Sequence, residues 1–489
     1  MLGLNLLARL AWVRADAPTS LPNHFSIQDG FRDEAEKSHE ARNWALFNEW
    51  RTSASDDFQF WKKQSPVWVY PLGLYFKIFG VGYLQLRIFS VFFSMLSLGF
   101  LCFWSFKRGG LPAALLVLTG LGLNFYFLLY SRIGLIEGMM NFWMVFAVYL
   151  FARSKDRACF FLPAGILYLA SIFSKQSTLF FLPAFLALGL YLLYQDSKAG
   201  RGKQILILLC LALVLVAIAI ALNTPEYRLR TLYNVRHGLQ YHRAAGSWLM
   251  QLDPASTLKN ILASFYPTAL WEGFFGLHPA LALLGTAEMV VIMVMAGRRQ
   301  KIDFELVLVL AWFLLARLSA IISPHRAVRF YLSEFYPLAL LAAEFVRVCW
   351  DRRRWRLVIG LAVLAELAFS GFYCWSWLAN RQYQLYENSV SLARALSGKD
   401  AVLIGELAGP FSLESRAKFY YVKRGFNQRP EQLRAFGVNY LLETANHYDV
   451  SAGRYKELFP ENYANRKIIA RFRIYDRLVN LYEIPPLFP

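Results

Sequence analysis

The sequence contains no Asn-x-Ser/Thr acceptor, no glycine-rich phosphate loop, no internal repeat and no low-complexity tract. The missing glycosylation acceptor favours a bacterial origin. The missing phosphate loop leaves no sign of a nucleotide site. Cysteine is scarce. Cys102, Cys159, Cys210, Cys349 and Cys374 all fall in or beside apolar runs, so no disulfide framework is suggested and cysteine does not report the redox compartment. His237 and His242 are five apart, off the three- or four-residue spacing of a helical metal pair, so no metal is assigned to them. Nothing suggests nucleophilic Ser/His/Asp chemistry or nucleic-acid recognition. Residues 1–13 lack a signal-peptide cleavage pattern. As a helix they would span only about 20 Å, which reads as a half-length first membrane helix.

Apolar residues are abundant: 57% of the 489 residues are hydrophobic and 17% aromatic. Recurring runs of about 20 apolar residues are long enough to cross a bilayer of roughly 30 Å. The sequence therefore predicts a mostly α, polytopic membrane helical bundle. Ten runs lie near 83–106, 111–130, 134–152, 158–173, 178–194, 204–222, 278–296, 304–322, 330–347 and 357–377; with the first helix they make about eleven crossings. Every second connection is rich in Lys and Arg, as at Arg153, Lys155 and Arg157 or at Arg352, Arg353, Arg354 and Arg356. The positive-inside rule places these connections in the cytoplasm. Residues 14–82, 223–277 and 378–489 then face outward. The expected localisation is the inner cell membrane, with the active site and C-terminal region on the periplasmic or outer side. Residues 1–377 form the membrane part. Its first outward loop, 14–82, carries two interfacial helices, one from Asp33 to about Trp50 and one from about Pro66 to Phe79. In 378–489, strand-like runs at 401–407, 438–442, 467–475 and 478–484 alternate with helix-compatible stretches, predicting a small external α/β domain.

The acidic stretch from Asp33 to Asn43 stands out in this apolar chain. Asp33 can cap a helix and Glu34 can sit at the positive end of its dipole. The plain reading is a solvated helix start; the sharper one is a catalytic carboxylate at the membrane surface. Outward-facing connections should be poor in cations, yet they hold Arg132, Lys175, His325, Arg326 and Arg329, with Arg317 in the outer third of its run. Headgroup contact explains such residues one at a time. As a group they point to an anion, and a lipid phosphate is the obvious one. Glu137 lies just inside the outer end of its run, either as an ion pair with Arg132 or as a functional acid. Glu344 and Glu366 read as helix-to-helix hydrogen bonding.

Several pieces of the sequence resemble the GT-C glycosyltransferases, in the branch of protein O-mannosyltransferases and bacterial aminoarabinose transferases. They are Asp33-Glu34 in a long first loop, Ser65-Pro66 after a lysine pair, Gly80 to Arg87, Tyr130-Ser131-Arg132 followed by Glu137, Ser174-Lys175, and Arg329-Phe330-Tyr331 followed by Pro337. The resemblance covers roughly residues 30–345. It implies an inverting transfer of a sugar from a polyprenyl-phosphate donor to an external hydroxyl acceptor on lipid, glycan or protein. Asp33 aligns with the family's first-loop acid, the general base, and Glu137 with the second-loop acid; Glu34 supports them. Lys63, with Lys62 as the alternative, aligns with the lysine near the carrier phosphate. A divalent ion bridging acids and phosphate is left open. The physical chemistry agrees: glycosyl transfer needs a base for the acceptor proton and positive charge for the departing phosphate. A lipid-linked sugar transporter or flippase and a non-catalytic anchor for the external domain are the competing classes. A transporter tends to place its polar site near the midplane, whereas the unusual charges here cluster at the outer face.

Overall fold

The computed structural model describes residues 1–18, 30–195, 201–223, 276–322, 329, 331–422, 426–446 and 449–485. His325, Arg326 and residues 224–275 of the expected loop lie outside the described residues. The membrane part opens with α1 (Leu2–Leu10), which is short, as expected, and is locked in place by polar bonds. A π-turn at Val117–Leu121 interrupts the regular hydrogen-bond ladder nearby. The fully buried Asn5 and Arg9 of α1 use the carbonyls there: Asn5 donates to Leu118 O at 3.2 Å and Arg9 to Gly122 O at 3.0 Å. A polar pair inside an apolar bundle is tolerated because the irregular turn supplies its partners.

Three helices follow at one end of the bundle: α2 (Gly30–Phe47), α3 (Phe60–Gln64) and α4 (Pro66–Phe79). The bundle itself runs through α5 (Tyr83–Leu116), α6 (Phe125–Arg132), α7 (Ile136–Ser154), α8 (Phe161–Ser174), α9 (Leu182–Gln195), α10 (Arg201–Asn223), α11 (Pro279–Gly297), α12 (Phe304–Ile322), α13 (Leu332–Cys349) and α14 (Arg353–Ala379). Gly110 breaks α5 at φ 69°, a left-handed conformation that glycine adopts without strain, and Pro112 restarts it.

Among the described residues, five helical runs are long and apolar enough to cross a membrane, or six if the pair α6 and α7, bent by 111°, counts as one. The expected run 111–130 is therefore not one span: it divides at the π-turn. Other expected crossings correspond to helices that are short, such as the 14-residue α8, or charged, such as α12 and α13. Their charges are satisfied inside the bundle. Arg317 of α12 donates to Glu334 of α13 at 2.6 Å, and Arg108 and Arg347 both hold Glu344. Glu366 accepts from Asn124 at 2.7 Å and from the Ala280 amide at 3.0 Å, tying α14 to α6 and α11. Paired in this way, polar side chains join membrane helices rather than face lipid.

The C-terminal part adds α15 (Gln384–Ala395), β1 (Val402–Ile404), α16 (Ala408–Ser412), β2 (Lys418–Tyr420), α17 (Pro430–Ala435), β3 (Tyr440–Thr444), α18 (Val450–Leu458), α19 (Pro460–Ala464), β4 (Lys467–Ile474) and β5 (Arg477–Glu483). The sheet order is β2-β1-β3-β5-β4. Strand β1 is parallel to β2 and β3, while β5 is antiparallel to β3 and β4. One hydrophobic cluster joins Trp61, Trp68 and Phe76 of α3 and α4 with Leu403, Phe411 and Phe419 of the sheet part.

Candidate functional site

Helix α2 begins at Gly30, three residues before the expected start, so Asp33 lies inside the first turn instead of capping it. Successive helical residues are about 100° apart, so neighbours point to different walls. Arg32 meets Glu406 of the sheet part. Asp33 meets Arg329, next to the start of α13, and Lys37 one turn along at 3.4 Å. Glu34 meets Arg87 of α5.

These contacts give the two adjacent carboxylates opposite characters. Glu34 is 1% exposed. It takes a two-pronged grip from Arg87, at 2.9 Å and 2.8 Å, and a bond from the Gly134 amide at 2.6 Å. Gly134 is required there, since a Cβ would stand 2.3 Å from Leu86. Arg87 also donates to Val13 O and Ala15 O. Glu34 is thus the centre of a buried brace, and its expected role beside the reacting groups has no open face to act through. Asp33 keeps 20% of its side chain exposed, and its partners are the cations Arg329 and Lys37.

Glu137 stands in the first turn of α7 and pairs with Lys175 at 2.6 Å, not with Arg132. Its other oxygen and Asn141 Oδ1, one turn on, are buried with no hydrogen-bond partner among the described residues. Lys37 also acts electrostatically on Glu137. Asp33, Lys37, Glu137, Lys175 and Arg329 therefore form one chain of two acids and three cations. Beside it lies a partly open cleft lined by Asn141, Lys175, Thr178, Trp312, Arg329 and Ser333 among others. The Lys175 and Arg329 side chains in its wall suit an anionic group, and Asn141 Oδ1, an acceptor with no partner among the described residues, suits a hydroxyl donor beside it.

Arg132 does not join this group. It is buried, donates to Trp12 O at 2.5 Å and to Ala15 O at 3.4 Å, and stacks on Trp377 at 4.3 Å. Its two Nη groups anchor the segment after α1, so its bonds go to backbone carbonyls rather than to the Asp33–Glu137 chain. Lys63 is exposed at the end of α3, while Lys62 stacks on Trp50 at 5.4 Å. The lysine pair is tied to α2 through Glu40, which accepts from the Trp61 amide at 2.9 Å and from the Lys62 amide. Burial pushes the Glu40 carboxyl up to about 8, against the pull of those two amides. The buried His39 imidazole, beside Arg42, is held well below its usual value, chiefly by desolvation.

Lys37 is the member of the cluster that was not singled out from sequence. Its position four residues after Asp33 on one helix face was the available signal. A second, smaller cleft lies between Trp104, Arg108, Glu305 and Glu344 of α5, α12 and α13. Arg108 there is already held by Asp303, Glu305 and Glu344, so it has no charge to offer a ligand. Among the described residues no three His, Cys, Asp or Glu side chains form a group that could hold a metal.

Neither a family model nor a curated protein matches the sequence. Solved structures do. The crystal structure of ArnT from Cupriavidus metallidurans bound to undecaprenyl phosphate superposes with a TM-score of 0.63 at 12% identity, covering 98% of this chain and 96% of that one. The apo structure of the same protein gives 0.54 at 13% identity, covering 92% and 93%. The chain has the ArnT fold. It is a polytopic helical bundle, and the match extends through the C-terminal sheet because nearly all of both chains superpose.

Proposed function

We propose that the protein is an inverting glycosyltransferase that moves a sugar from a polyprenyl phosphate to a hydroxyl acceptor outside the cytoplasm. The observation that carries this reading is the meeting of Asp33 with Arg329 and Lys37 beside a cleft that Arg329 and Lys175 line. The ArnT neighbour that holds undecaprenyl phosphate supports the choice of carrier. Asp33 is the general base. It takes the acceptor's O–H proton as the acceptor oxygen bonds to the anomeric carbon. The bond from that carbon to the phosphate oxygen breaks on the opposite face, and its electron pair leaves with the polyprenyl phosphate. Lys175 and Arg329 stabilise the charge that develops on the phosphate, with Lys37 between the two acids. Lys63, or Lys62, meets the carrier phosphate from α3. Glu137 holds Lys175 in place. The site faces the periplasmic side of the inner membrane, where 378–489 forms an external domain. The sugar is a hexose or pentose, and the acceptor belongs to lipid, glycan or protein.

The test is purified protein in lipid with labelled sugar on undecaprenyl phosphate and a host envelope extract as acceptor pool. The expected result is label in the acceptor pool with release of undecaprenyl phosphate. Movement of the intact labelled lipid across a vesicle without release would support the flippase reading instead.

A further inference from the structure

The C-terminal part holds the helix that carries Asp33 in an unusually direct way. Arg42 lies nine residues after Asp33 on α2 and is fully buried. Its guanidinium donates to three backbone carbonyls of one turn: Ser412 at 3.1 Å, Ser415 at 2.8 Å and Ala417 at 2.8 Å. The same turn grips α5. Tyr83 donates its hydroxyl to Pro410 O at 2.9 Å, and Glu414 accepts from the Tyr83 amide at 2.7 Å. One turn further along α5, Arg87 holds Glu34, the neighbour of Asp33. At the start of α2, Arg32 meets Glu406. Residues after α2 are tied as well: Thr52 donates to Phe419 O at 3.0 Å, and Asn427 bonds Asp56 and Asp57. Arg42 also packs its cation on the Phe419 ring at 5.1 Å.

All three bonds leave one nitrogen, Nη2, so the tip of the side chain is pinned at one point of the turn, and the stacking of the guanidinium on the Phe419 ring sets its tilt; together they hold the distance and the rotation of the helix relative to the turn. A helix is stiff over nine residues, so a rotation at Arg42 is carried to Asp33. A general base loses rate when it is misplaced by an ångström or less, while the cations that hold the phosphate sit on other elements and are not moved. We propose that Arg42 is a positioning residue for Asp33, and that the C-terminal α/β part acts through it to set the pose of the first turn of α2. This rests on the reading of Asp33 as the base. It makes the 408–417 turn a working part of the site, although none of its residues touches the reacting atoms.

The test uses full-length Arg42→Lys and Arg42→Met in lipid, with two readouts. The first is hydrogen exchange at amides 32–43, compared with those of α7. The second is turnover with labelled undecaprenyl-phosphate sugar, resolved into kcat and donor KM. The expected result is faster exchange in α2 alone. With it, kcat should fall in the order Arg, Lys, Met, by about tenfold or more for Met, while donor KM stays within about twofold. Unchanged exchange in α2, or kcat and KM changing in parallel, would overturn the proposal. If the wild type transfers no sugar, the glycosyltransferase reading falls, and the exchange readout still decides whether Arg42 sets the pose of α2. If the Met variant does not fold, Tyr83→Phe, which removes a single hydroxyl bond to the same turn, is expected to move both readouts in the same direction by less.

Discussion

Arg32, Asp33 and Glu34 are consecutive, and each meets a different wall of the protein. That divergence was not legible in the sequence, where Asp33 and Glu34 are adjacent acids at a helix start. What separates them is a partner 53 residues away, Arg87, and a glycine turn at 134. The consequence is measurable. Arg87→Met leaves Glu34 as an uncompensated buried charge, so it should destabilise the protein by about 3–5 kcal/mol. A melting curve checks this, and an unshifted curve would show that the brace is not needed. The cations divide in the same manner. Lys175→Met and Arg329→Met should raise donor KM or lower kcat in folded protein, because they line the cleft. Arg132→Met should lower the melting temperature first, because its partners are the carbonyls of Trp12 and Ala15. The sequence grouped all three by position near a helix end; only packing tells which ones face a cleft.

Helices and strands were mostly legible. The amphipathic and apolar runs give α4, α7, α11 and α14 close to where periodicity placed them, and β3, β4 and β5 coincide with β-rich runs. The π-turn at Val117–Leu121 was not, since apolar composition carries no mark of a changed hydrogen-bond ladder. Strand β2 was missed because its three residues, Lys418–Tyr420, are too few to show alternation. The start of α3 is tied to α2 by the buried Glu40 carboxyl, and that gives a pH signature. Glu40 titrates near 8 in the folded state, against a usual value of 4.5, because burial disfavours its charge; Lys62 opposes this and Asp56 adds to it. A raised carboxyl contributes stability that is complete below its unfolded pKa and lost as pH rises through the folded one. The melting temperature should therefore fall between about pH 5 and about pH 9, and Glu40→Gln should flatten that slope. Equal slopes for both proteins would remove Glu40 as the cause.

At the scale of the molecule, the sequence divides naturally at residue 378, where apolar runs give way to strands. The packing crosses that line: the cluster that includes Trp68 and Phe89 also includes Leu403 and Leu481. Composition shows where a chain leaves the membrane, but not what the emerging part rests on. The proposed orientation has a direct check. A cysteine placed at the exposed Ala445 should react with an impermeant reagent on intact cells, whereas the exposed native Cys159, at the other end of α7, should react only after permeabilisation. The reverse pattern would invert the protein. The central claim is narrower, namely that Asp33 is the base. General base catalysis contributes about 10²–10⁴-fold in rate. Asp33→Asn keeps the shape of the side chain but cannot accept the proton, and it releases Arg329 and Lys37 from a carboxylate. Single-turnover transfer from labelled undecaprenyl-phosphate sugar, measured together with donor binding, is the most direct test. The account predicts a rate lower by about 10²–10⁴-fold with donor binding equal to or tighter than wild type. Transfer by Asp33→Asn at the wild-type rate would contradict it.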